Sequence, residues 1–180
     1  MKRPLRTTMI ISITRVNERS YKSVAIRSDG VHIEIPGVGP LRPIPHDLLH
    51  YFVERELKLK RGFWGCVAAG DRFAGTRVAG GRSTFHAVGR KRRVIRPARQ
   101  EIGEAEIFTA LVLRILREGI ADNWQVVQTL FSEAWHPVRP TRGEITRDEL
   151  SRICVAVREA EEKWQKLPVN HSLTVCWNVA

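Results

Sequence analysis

Three short runs rich in β-branched residues crowd the first 36 positions: M-I-I-S-I-T-R-V (9–16), Y-K-S-V-A-I-R (21–27) and V-H-I-E-I (31–35). Only Asn17 to Ser20 and a turn built on Asp29-Gly30 separate them. Connections that short join antiparallel neighbours, because a parallel pair needs a crossover of about a dozen residues or more. The chain must therefore begin as an antiparallel meander. In the third run Val31, Ile33 and Ile35 alternate with His32 and Glu34, which predicts one covered and one wet sheet face.

The Pro/Gly-rich stretch from Pro36 to Pro45 ends the sheet, and the period then changes. Leu48, Leu49, Phe52, Val53 and Leu57 recur at helical spacing from His46 to about Leu59, and Gly62 stops the pattern. Residues 62–81 hold six of the thirteen glycines and predict irregular structure with G-F-W-G-C-V-A-A-G packed inward. Residues 82–100 are polar and basic and predict a flexible loop. Ile102 to Arg117 is apolar on almost every side and predicts the most buried helix, closed by Gly119. A further helix follows from Asp122 to about Trp135, and Thr146 with Glu149 forms a capping box for the last one. S-L-T-V-C-W-N-V, after Pro168, alternates like a strand that returns to the N-terminal sheet. The expected class is α+β: three N-terminal strands plus a C-terminal strand, packed against about four helices.

A chain of 180 residues suits a single domain, 1–180, with a core large enough to need neither disulfide nor metal for its own cohesion. Cys66, Cys154 and Cys176 form no C-x-x-C pair, which predicts buried thiols and argues against a zinc ribbon or disulfide scaffold. The apolar run near the N-terminus is shorter than a signal peptide requires, and Ile107 to Leu113 is far below membrane-spanning length. A cytoplasmic protein without a membrane role is expected. The five tryptophans lie near element edges and predict packing roles with satisfied indole N–H groups.

The stretch P-H-D-L-L-H-Y-F-V-E places His46, His50 and Glu54 four residues apart, on one ridge of a helix beside the apolar arc. Two His at i and i+4 can reach one ion, as in the H-E-x-x-H zinc motif, with Asp47 here in the Glu position. Eight residues separate His46 from Glu54 by about 12 Å along the axis, so the three cannot share an ion comfortably. Glu54 is expected to orient His50, and a third ligand must come from elsewhere: Glu106 first, on the long apolar helix, and His86 second. Asp47 and Glu54 are the candidate catalytic supports. Zinc or another divalent metal is the implied cofactor. Two other readings stay open: the histidines cap the helix or face solvent, or His50 and Glu54 form a metal-free acid/base pair. Glu56 falls within the apolar arc, which requires a frayed helix end or a basic partner.

Charge is unevenly spread. Of 30 Lys+Arg, 21 lie in residues 1–100 against 7 acidic residues, whereas residues 101–180 are slightly acidic within a net +11. Six basic residues, Arg90, Lys91, Arg92, Arg93, Arg96 and Arg99, cluster in G-R-K-R-R-V-I-R-P-A-R. Such a run can track phosphates, but no aromatic residue stands among them for base stacking. The alternative function is therefore a binding module for nucleic acid or an acidic protein. The basic and acidic halves could also bring two copies together as a homo-oligomer.

At P-H-D-L-L-H-Y-F-V-E-R-E-L, G-F-W-G-C-V-A-A-G and E-A-E-E-K-W-Q-K-L-P-V with S-L-T-V-x-W, the chain resembles a group of uncharacterised bacterial proteins. That resemblance implies a soluble bacterial protein and no particular activity. The H-D-x-x-H core is also similar to the metal motif of the ubiquinone-biosynthesis zinc protein family, which implies His46, Asp47 and His50 as ligands. That family places a Glu twelve residues after the second His, where this chain has Gly62.

Overall fold

A computed structural model describes residues 7–37, 41–71, 73–80, 96–135 and 142–179. Five strands form one antiparallel sheet in the order β4-β3-β2-β1-β5: β1 (Thr7–Arg15), β2 (Tyr21–Ile26), β3 (His32–Pro36), β4 (Arg77–Gly80) and β5 (Ser172–Val179). Five helices accompany it: α1 (His46–Glu56), α2 (Phe63–Ala69), α3 (Arg96–Glu118), α4 (Trp124–Trp135) and α5 (Arg147–Gln165). The fold is α+β, and the C-terminal strand does return to the N-terminal sheet, pairing Thr7 with Val179 through Thr14 with Ser172.

Alternation along the strands decides which face is covered. Met9, Ile11 and Ile13 of β1 are fully buried, as is Ala25 of β2, and Ile33 and Ile35 of β3 join them. Burying each larger side chain contributes roughly 1.5–3 kcal/mol. The opposite face is polar: Thr8 bonds Asn178, Ser12 bonds Thr174, and Thr14 bonds Ser172 across the β1–β5 pair.

Several sequence expectations change. The helices number five and the strands five among the described residues, because the glycine-rich stretch holds both α2 and β4. Helix α3 begins at Arg96, so residues 96–100 are not loop, and Pro97 is accommodated in the first turn, where its missing N–H costs nothing. The most buried helix is α1: every residue from Asp47 to Glu54 is buried. Helix α3 has a wet side carrying Glu106, Ala110, Arg114 and Arg117. Cys66 and Cys154 are buried, but Cys176 lies on the exposed face of β5. The Trp64 indole donates to the Asp47 carbonyl at 2.8 Å, whereas Trp135 and Trp177 bury an N–H without a partner among the described residues.

The capping box at the start of α5 forms as expected, with Glu149 N donating to Thr146 Oγ1 and Thr146 N to the Glu149 carboxylate. Glu56 is the last residue of α1, and its partly buried carboxylate has the basic partner expected of it, Arg152. Helix α1 packs against α2, α3 and α5. It is tied to β5 by the Tyr51 hydroxyl, which donates to the Cys176 carbonyl at 3.1 Å.

Candidate metal centre

The polar ridge of α1 is wedged between neighbours. Pro45 precedes the helix without a side-chain cap, and His50 is almost fully buried, so neither histidine serves as a cap. Helix α3 crosses α1 and brings Glu106 to the ridge. His46 Nε2 and His50 Nε2 stand 3.2 Å apart; Glu106 Oε2 is 3.7 Å from the first and 3.3 Å from the second. These are the three groups that could hold a metal ion among the described residues.

The triangle can be tested against coordination geometry. Tetrahedral bonds of about 2.0–2.1 Å require donor atoms about 3.3–3.4 Å apart. The observed edges bracket that value, and a point about 2.1 Å from all three atoms lies about 0.7 Å off their plane, as a tetrahedral apex demands.

Behind the triangle, Glu54 holds His50. Its Oε1 lies 3.1 Å from His50 Nδ1, and the same carboxylate accepts the backbone N–H groups of Phe63 (2.8 Å) and Trp64 (3.0 Å). One buried side chain thus orients the imidazole and satisfies the free amides that open α2. Gly62 makes this possible: a Cβ there would stand 2.5 Å from the Glu54 carboxyl carbon. Thr109 Oγ1 adds a polar neighbour 3.5 Å from His50 Nδ1.

Asp47 sits on the other flank. Its carboxylate accepts from Ser23 Oγ (2.7 Å) and Tyr21 Oη (3.1 Å), so both oxygens are engaged by the sheet rather than by the triangle. His46 is partly exposed, and its buried Nδ1 has no partner among the described residues.

Electrostatics follow these contacts. Burial alone would push the His50 imidazolium down, but hydrogen bonds and charge from Glu106 and Glu54 outweigh it and raise the pKa to about 9. His46 and His50 hold the Glu106 carboxyl well below the usual carboxylate range. Burial pushes both Asp47 and Glu54 up, while their hydrogen-bond donors pull them back. Without a metal the cluster is a carboxylate–imidazolium network. A metal held there would require His50 Nε2 to be free of its proton, with Nδ1–H directed at Glu54.

A cavity of about 310 Å³ opens onto the triangle, walled by Ile35, Phe63, Phe73 and Thr76 and touching Asp47. The sequence reading brought together His46, His50, Glu54 and Glu106. It missed Ser23, Tyr21, Phe73 and the amide donors of α2, whose only signal was the inward-packed F-W-G segment. His86 and Arg90, Lys91, Arg92 and Arg93 lie outside the described residues; Arg96 opens α3, and Arg99 is exposed on its first turn. No helix among the described residues is long and apolar enough to cross a membrane. Comparison of the chain with protein-family models, with curated proteins and with solved structures finds no match.

Proposed function

We propose that this protein binds a divalent transition metal, zinc before others, through His46 Nε2, His50 Nε2 and Glu106 Oε2, and uses it on a small molecule in the adjoining cavity. The observation that carries the reading is the donor triangle, whose edges of 3.2, 3.3 and 3.7 Å suit a tetrahedral ion. Octahedral ions with bonds near 2.1 Å favour edges of about 3.0 Å, which places six-coordinate iron or manganese second. Two imidazoles, one carboxylate and a free position are the donor set of hydrolytic and Lewis-acid zinc sites. When bound, such an ion polarises a substrate oxygen or activates water.

The chain's own residues have separate tasks. Glu54 fixes the His50 tautomer that leaves Nε2 free to coordinate. Asp47 anchors the start of α1 to β2 and so sets the position of His46. Glu106, on another helix, closes the triangle.

Elemental analysis of purified protein tests the reading. Near-stoichiometric zinc or another divalent metal is expected, lost in both His50→Ala and the more conservatively placed, half-exposed Glu106→Ala. Protein that carries no metal and gains no thermal stability on adding zinc, cobalt or iron would refute it and leave a metal-free His50–Glu54 pair as the better account.

A further inference from the structure

The walls of the cavity define what can reach the metal. His50, Phe63 and Phe73 form a continuous aromatic surface, with ring centroids 5.8 Å apart for His50–Phe63 and 4.9 Å for Phe63–Phe73. Ile35, Pro36 and Ala74 extend it, and Thr76 borders it with its hydroxyl already donating to the Phe73 carbonyl. No Lys or Arg among the described residues lines this space. Among the described residues, Arg61 and Arg77 are the cations nearest in sequence to its walls, and they are paired with Asp71 and Glu34.

Charge balance leads to the same result. Glu106 belongs to the triangle, Asp47 touches the cavity, and Glu54 stands behind His50. Three carboxylates at or behind a dication leave little positive potential for an incoming polyanion. A phosphate ester or a polycarboxylate would find one metal and, among the described residues, no second cation. An uncharged molecule with a flat apolar body loses nothing by leaving water for the Phe63–Phe73 wall. At about 310 Å³ the space lies at the small end of ligand pockets.

We infer that the cavity takes a small, uncharged molecule whose ring-sized apolar body lies against Phe63 and Phe73 and whose oxygen donor fills the metal's open position, and that it discriminates against phosphorylated ligands. This rests on the metal reading above. The test uses the full chain loaded with cobalt(II), whose absorption reports changes at the metal, and three probes: benzohydroxamic acid, acetohydroxamic acid and inorganic phosphate. The two hydroxamic acids offer the same donor atoms and differ only in the apolar body.

Benzohydroxamic acid is expected to bind at least tenfold more tightly than acetohydroxamic acid, and phosphate at least a hundredfold more weakly than benzohydroxamic acid. Phe73→Ala should reduce the ratio between the hydroxamic acids to about threefold or less while leaving cobalt affinity unchanged, which also reports that the variant is folded. The wild-type ratios decide the matter even if that variant fails to fold. Equal affinity for the two hydroxamic acids, or phosphate binding as tight as benzohydroxamic acid, overturns the inference and leaves the metal reading standing. Failure to bind cobalt or zinc at all removes both.

Discussion

Asp47 and Glu54 are two buried carboxylates on the same helix, and their surroundings assign them different work. Asp47 faces the sheet and is held by two neutral hydroxyls, Ser23 and Tyr21. Glu54 faces α2 and is held by an imidazole and two amide N–H groups. A carboxylate bonded to hydroxyls fixes position. One bonded to a histidine whose other nitrogen points at a second histidine and a third carboxylate also sets that nitrogen's donor strength. The contrast shows why burial of an acid does not by itself mark a site: the partners decide.

The largest expected difference between them is in metal affinity. Glu54→Gln should weaken zinc or cobalt binding roughly 10- to 100-fold, measured by competition with a chelator. Asp47→Asn should change it by less than about threefold while costing on the order of 1–3 kcal/mol of stability in urea denaturation. Equal losses of affinity in the two variants would erase the distinction.

A pH effect comes next. In metal-free protein the folded His50 titrates near 9, above its unfolded value of about 6.5, so it contributes stability that is fully present below pH 6.5 and lost as pH rises through 9. Metal-free protein should therefore lose stability across that window. Metal binding displaces the same proton, so apparent affinity should strengthen over the same range. Denaturation curves at pH 6 and pH 9.5 that superimpose in metal-free protein would contradict the network.

Gly62→Ala is a smaller perturbation of Glu54 alone. Its Cβ must displace the carboxylate, costing roughly 1–3 kcal/mol and weakening metal binding in the same direction as Glu54→Gln. Thr146→Ala sets the scale of a change far from the ridge: it removes the α5 cap for about 1 kcal/mol and should leave metal affinity untouched. A loss of metal binding in that variant would mean that affinity follows global stability and not the geometry of α1.

The same contrast separates what could be read from the sequence. The His46–His50–Glu54 ridge was legible because four-residue spacing on a helix fixes which side chains align, whatever the tertiary structure. Glu106 was singled out as a carboxylate on a nearly all-apolar helix, a reason the structure corrects, since it lies on the wet side of α3 and is marked instead by its approach to both histidines. The Asp47 contacts were not legible, since Ser23 and Tyr21 lie on a strand 24 and 26 positions away and nothing local links them. The amides of Phe63 and Trp64 depend on a chain reversal at Gly62, whose lack of a side chain reads in sequence as a break and in space as room for Glu54. Strand β4 and helix α2 were hidden by glycines that lower intrinsic propensity, whereas the start of α3 was hidden by arginines and a proline that suit a loop equally well. The antiparallel meander and the α5 capping box were legible because short turns and local hydrogen bonds leave few alternatives.

X-ray absorption at the zinc edge on metal-loaded protein tests the central claim most directly. The account predicts about four nitrogen and oxygen donors at ~2.0–2.1 Å with outer-shell scattering from two imidazoles, falling to one in His50→Ala. Zinc surrounded by six oxygens, or by donors without imidazole scattering, would contradict it.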